Sequence, residues 1–177
     1  MKITQILHFN LIFFISYIVL FIIQQHLIFP IQQSFISFGV LSGSLLFLPH
    51  GLRVIAVLVG GYWIFPGLYF AHILTGLYFL EIVNWDENLI RSLLSMLAVY
   101  FPLIFLKKND IDLQNILVLS LTASFLNSLF QTLYLQWSEL NLNGLVILSY
   151  LVGDILGSLF LFYFIKYIKI QSQIKVT

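Results

Sequence analysis

Asp154 is the side chain whose position most needs a chemical reason. It lies about ten residues into the last apolar stretch, which at ~1.5 Å of helical rise per residue puts it near mid-membrane. A carboxylate there costs on the order of 3 kcal/mol and calls for a partner. Arg53 is the best candidate, since Arg91 and the lysines lie nearer predicted loops. Arg53 ends the run Phe47-Leu48-Pro49-His50-Gly51-Leu52-Arg53, and Pro66-Gly67 and His72 follow within apolar sequence. Asp154 ends the dipeptide that opens Gly153-Asp154-Ile155-Leu156-Gly157. These two stretches are expected to meet inside a helical bundle. An Asp154–Arg53 pair there either locks two helices together or serves an ion or ligand, with Tyr150 and Ser158 placed to hydrogen-bond the acid.

A second polar set lies upstream. Ser120, Ser124, Asn127, Ser128 and Gln131 fall at offsets of 0, 4, 7, 8 and 11, one face of a helix. Such a face turns inward in a membrane bundle, to bond neighbouring helices or to line a wet cavity, and in both cases it lies against Asp154. Ser149, Gly153 and Gly157 recur every four residues, a small-residue stripe that suits close helix packing. Glu81 and Arg91 flank an acidic loop and are expected to pair. His50 and His72 have neither the spacing nor the carboxylates of a metal site; bonds to backbone carbonyls at a helix break are the expectation. No Ser-His-Asp order, HExxH, Walker loop or GxGxxG is present, so no catalytic residue, metal or cofactor is assigned and no enzyme is expected.

Composition fixes the setting. Hydrophobic residues make up 60% of the 177 and charged residues 8%, with a mean hydropathy of +1.02. A soluble domain is about one-quarter charged, so this chain cannot cover a water-facing surface. It is expected to be one integral membrane domain, residues 1–177, all-α, with about six spans and the lipid bilayer as its first partner. A net charge of +1 makes no electrostatic case for nucleic acid. With no cysteine there is neither disulfide nor thiol chemistry.

The spans are expected at about Ile6–Phe29, ended by Pro30; Ser34–Leu48; 49–83; Leu89–Leu106, ended or kinked near Pro102; Leu113–Leu135; and Gly144–Ile165. Loops are expected at 84–88 and 137–143. Residues 49–83 are too long for one simple span and short for two. Gly60, Gly61, Pro66 and Gly67 break them into pieces near 51–61 and 66–83. The reading adopted is one interrupted crossing, with a tight interfacial turn as the alternative. Lys2, Lys107, Lys108 and the C-terminal lysines then mark the cytoplasmic side, with both termini inside and Arg53 near the cytoplasmic end.

Leu48-Pro49-His50-Gly51, an apolar helix to Gly60-Gly61, Phe65-Pro66-Gly67 and the later Gly153-Asp154-x-x-Gly157 together resemble the first-described membrane-associated sensor domain. That domain precedes diguanylate cyclases and histidine kinases in bacterial inner membranes. The resemblance covers residues 36–83 and 145–165; His50 replaces the family's small residue, Arg53 has no counterpart, and no output domain follows. It implies a sensing or docking bundle that signals through another membrane or signalling protein. The motif and the polar stripe together give Pro49, His50, Gly51, Arg53, Asn127, Gln131, Gly153, Asp154 and Gly157 as the expected ligand-binding or structural polar core, with a small-molecule ligand left open. Two alternatives share the architecture: an accessory subunit that scaffolds a membrane complex, and the substrate-binding subunit of an energy-coupling-factor transporter.

Overall fold

A computed structural model describes residues 3–35, 44–79, 84–105, 112–137 and 144–174. Every regular element among them is helical: α1 (Ile3–Ile23), α2 (Phe29–Phe35), α3 (Leu48–Gly60), α4 (Phe65–Phe79), α5 (Trp85–Tyr100), α6 (Leu113–Trp137) and α7 (Gly144–Ile174). Five helical stretches are long and apolar enough to cross a membrane: Ile3–Ser34, Leu48–Phe79, Trp85–Ile104, Leu113–Tyr134 and Tyr150–Ile168. The chain is therefore an all-helical membrane bundle.

The first helix does not stop at Pro30. A π turn over Gln24–Ile28 joins α1 to α2, with the Phe29 N–H bonded to the Gln24 carbonyl. The wider turn shifts the hydrogen-bond ladder just before Pro30, so the ring and its missing N–H are accommodated and the helix runs on to Phe35. Gln24, an amide within otherwise apolar sequence, is buried. Its Nε2 donates to Ser44 Oγ (2.7 Å) and its Oε1 accepts the Leu48 N–H (3.2 Å), an orphan donor at the start of α3. A separate span over 34–48 is not what forms at its C-terminal end: Ser44–Phe47 are irregular and α3 begins at Leu48, with Pro49 in its first turn. Residues 36–43 lie outside the described ones.

Residues 49–83 make a hairpin, not one interrupted crossing. Arg53 of α3 and His72 of α4 bond Ser95 and Ser92, serines one turn apart on α5. Two collinear helices would hold residues nineteen positions apart roughly 28 Å from one another. Against α1, Phe47 and Phe79 both reach Phe21, while the linking turn reaches Asn10. The reversal is made by Gly61, at φ +54° and ψ −143°, a conformation that strongly favours glycine, and by a 3-10 turn over Gly61–Ile64. Asn10 fastens the tip: Nδ2 donates to the Trp63 carbonyl (2.8 Å) and Oδ1 accepts the Gly67 N–H (2.7 Å). A Cβ on Gly67 would meet Asn10's backbone, so α4 can approach α1 this closely only with glycine there.

The remaining boundaries follow from capping. Asn84 Oδ1 accepts from the Asp86 and Glu87 N–H groups (3.0 and 3.4 Å), so Trp85–Asn88 are the first turn of α5 and not a loop. The α5 helix tightens into a 3-10 turn at Phe101–Phe105, around Pro102. Asp112 Oδ1 accepts the Asn115 N–H (2.6 Å) at the start of α6. The α7 helix runs past Lys166 to Ile174. Trp137, expected to open a loop, is the last residue of α6; Glu81, residues 138–143 of that expected loop and Lys107–Lys108 fall outside the described residues.

Candidate functional site: a buried polar cluster

The stretches around His50 and Asp154 touch through bare backbone. Gly51 of α3 faces Gly157 and Ser158 of α7 so closely that a Cβ would meet their main-chain atoms. Cβ atoms on Gly153 and Gly157 would meet the backbone carbonyls of Ser44 and Phe47. The Phe47 N–H, left free by the irregular entry to α3, donates to the Gly153 carbonyl (2.9 Å). Glycine at these three positions is what lets α7 lie against α3 and carries Asp154 into the bundle.

Asp154 does not pair directly with Arg53. Its Oδ2 lies 3.1 Å from Nδ1 of His50, and Arg53 Nη2 lies 2.8 Å from the same nitrogen. Arg53 Nη1 is held by the hydroxyl and carbonyl of Ser95 on α5. The direct pair fails because His50, one helical turn before Arg53, projects between the two charges. Arg53 also does not lie near an end of the bundle: it is 1% exposed and reaches the middle of α5. His50 is fully buried, with Nε2 3.4 Å from Ser124 Oγ on α6. Its bonds are to side chains, not to the backbone carbonyls expected at a helix break.

One nitrogen cannot serve both neighbours alike. A guanidinium only donates, so its bond to Nδ1 requires a bare nitrogen; an ionised carboxylate only accepts, so its bond requires Nδ1–H. Ser124 suits either form, because a hydroxyl donates to a bare Nε2 or accepts from Nε2–H.

From α6, Asn127 Nδ2 donates to Asp154 Oδ2 (3.4 Å). The Ser120–Gln131 face divides at this level. Ser120, Ser124, Asn127 and Ser128 are buried, but Gln131 belongs elsewhere. It accepts from Arg91 Nε (3.2 Å) and donates to the Arg91 carbonyl (3.0 Å), and Arg91 also binds Glu87 (3.1 Å). Tyr150 is 41% exposed, and Ser158 bonds the backbone carbonyl of Asp154, not its carboxylate. Pro49 shapes the first turn of α3. Gly60, Pro66 and Gly67 lie at the hairpin tip, apart from the cluster.

Several buried polar atoms of the cluster have no hydrogen-bond partner: Asp154 Oδ1, Asn127 Oδ1, Ser128 Oγ and Arg53 Nε. Such orphans cost roughly 1–3 kcal/mol each. Sequence reasoning missed two residues that position this site, Gln24 and Ser95, and a third, Asn10, that holds the hairpin tip. Gln24 and Asn10 had a legible signal as amides inside an apolar helix; Ser95 had none. Comparison of the chain with protein-family models, with curated proteins and with solved structures finds no match.

Proposed function

We propose that this chain is an integral membrane sensing or interaction module that acts through a partner protein, with His50, Arg53 and Asp154 as its centre. The observation that carries this reading is the convergence of an acid, an imidazole and a guanidinium from α3 and α7 on one buried nitrogen, with acceptor oxygens left over. A group of this kind stabilises a bundle poorly, because desolvation offsets the attraction. It does make helix packing sensitive to one proton or one bound group. In the proposed arrangement α1, α3, α4, α5, α6 and α7 each pass once through the bilayer. Tyr62 and Trp63 lie at one headgroup level and Trp85 at the other; all three side chains are exposed. The lysine-bearing end, with both termini, faces the cytoplasm of a bacterial inner membrane.

The test is purification of the tagged wild-type chain and Asp154→Asn in mild detergent, with mass spectrometry of everything bound. A kinase, cyclase or other signalling protein whose output changes with Asp154→Asn supports the reading. Capture of a membrane complex whose assembly and output ignore that substitution replaces it with the accessory role. Capture of a transporter ATPase pair, or of a stoichiometric metabolite, replaces it with uptake.

A further inference from the structure

Asp154 and Asn127 present two planar, complementary edges. A carboxylic acid and a primary amide pair through two parallel bonds, amide N–H to acid C=O and acid O–H to amide C=O. The first is made here, Asn127 Nδ2 to Asp154 Oδ2 at 3.4 Å. The atoms of the second, Asp154 Oδ1 and Asn127 Oδ1, are both without a partner, and the two residues are 1% and 8% exposed. Both are acceptors, so nothing can join them until a hydrogen is added.

Resting on the reading of this cluster as the sensing centre, we propose that Asp154 is a proton-binding site and that its occupied form completes an acid–amide pair with Asn127. A proton taken from water adds to Asp154 Oδ1, forms one O–H bond and removes one negative charge; that O–H donates to Asn127 Oδ1. Oδ2 then no longer needs a donor, and the imidazole, neutral in both states, releases its Nδ1 hydrogen and takes one on Nε2, which faces Ser124, so that its bare Nδ1 accepts from Arg53. When the proton leaves Asp154, Nε2 gives up its hydrogen, Nδ1 regains one for Oδ2, and Arg53 keeps Ser95. The proton thus decides whether α7 is tied chiefly to α6 or to α3.

The surroundings hold both states. His50 and Arg53 face the acid from α3, and Tyr17 of α1 lies within electrostatic reach of both Asp154 and Arg53. On α7 itself the nearby ionisable group is Tyr150, and on α6 the facing groups are amide and hydroxyl. His72 of α4 bonds Ser92, and Arg91 of α5 is engaged by Glu87 and Gln131. A cation is a poorer occupant than a proton, because the Arg53 guanidinium stands one atom away.

The experiment is infrared difference spectroscopy of the reconstituted full chain between alkaline and acidic buffer. Expected is one carboxylic C=O band on acidification that is absent in Asp154→Asn, shifts in D2O, and moves to higher frequency in Asn127→Leu. Asn127→Ser is the milder variant and is expected to move the band the same way. A carboxylate band for Asp154 that persists throughout overturns the proposal and leaves a bridging water to satisfy both oxygens. A titration displaced by sodium but not by a bulky organic cation overturns it in favour of a cation site. A band indifferent to both Asn127 variants overturns the acid–amide pair. None of these readouts requires the partner protein, so the sensing role and the proton site fail separately.

Discussion

Arg53 and Asp154, the buried opposite charges of this bundle, are joined only through His50 Nδ1, which lies 2.8 Å from one and 3.1 Å from the other. Their hydrogen-bonded coupling therefore runs through the imidazole, beside the direct attraction of two buried charges this close together. Replacing His50 by Leu leaves the guanidinium and the carboxylate facing an apolar side chain and should cost about 3–5 kcal/mol, the range for breaking a buried ionic group by removing one member. In a double-mutant cycle, Arg53→Gln and Asp154→Asn should be coupled in the native background and change their coupling in His50→Leu, where only the direct attraction is left. Thermal or denaturant unfolding in detergent checks this. Equal coupling with and without the imidazole would show that the imidazole carries none of it.

Asp154→Asn and Asp154→Leu should part company. An asparagine at 154 can make both bonds with Asn127, N–H to Oδ1 and O from Nδ2, while Arg53 keeps Ser95 and His50. Leucine makes neither and leaves Asn127 wholly unpaired, a loss of about 2 kcal/mol or more relative to asparagine. Accumulation and unfolding midpoint are the measurements, and identical behaviour of the two variants would count against the paired edges.

The sequence carried the cluster's membership better than its wiring. Asp154 was legible because an acid inside an apolar helix must face protein, and the Asn127 face because its offsets close a helical stripe. Direct pairing with Arg53 was not, because the sequence does not tell which of two residues one turn apart on α3 reaches the acid. Gln131 was assigned to Asp154 because it shares a stripe with Asn127. One further turn of α6 carried it instead to Arg91, which lies at that height on α5. The turn, held only as the alternative to one interrupted crossing, was not preferred for a related reason. Both readings of residues 49–83 break at Gly60–Gly61, and only contacts with α1 and α5 tell a kink from a reversal. Pro30 misled because the π turn that accommodates it leaves no pattern in the residues before it.

Glycines of the two packed stretches should respond differently from the glycine of the turn. Gly51→Ala drives a methyl into the backbone of Gly157 and Ser158, which cannot move aside without separating α3 from α7; the expected cost is about 1–3 kcal/mol. Gly61→Ala meets open space but must hold φ +54° with ψ −143°, a combination that only glycine adopts readily, at a cost of about 1–3 kcal/mol. At Gly60 a methyl meets Cγ1 and Cδ1 of Ile64, a fully buried core side chain. All three variants should therefore unfold earlier than the parent, with only Gly51→Ala also disturbing the Asp154 infrared band.

Asn10 is expected to govern the hairpin tip and nothing else. Asn10→Leu removes both bonds to the tip and leaves the Trp63 carbonyl and the Gly67 N–H without a side-chain partner, a loss of about 1–2 kcal/mol. Limited proteolysis should then cut within 61–64 faster than in the parent chain while the Asp154 band stays in place. Unchanged cleavage would mean that α4's packing on α1 holds the tip without the amide.

The absence of cysteine makes the path of the hairpin directly readable. Trp63 at its tip and Trp85 at the start of α5 are 62% and 60% exposed, so a cysteine at either place disturbs little packing. The α4 helix alone separates them apart from residues 80–83. If α3 and α4 each cross, a membrane-impermeant maleimide should label Trp85→Cys in intact cells and Trp63→Cys only in inside-out vesicles. The sides follow from Lys166, toward the C-terminal end of α7, which lies with the Trp63 end because α7 runs parallel to α3. If α3 and α4 dip into the bilayer and return, Trp63→Cys should be protected from both sides. Labelling of both cysteines from one face would remove α4 as a crossing and the six-pass arrangement with it. The cluster itself would be unaffected by that result, because the bonds among His50, Arg53, Asn127 and Asp154 depend on helix packing and not on which face the tip reaches.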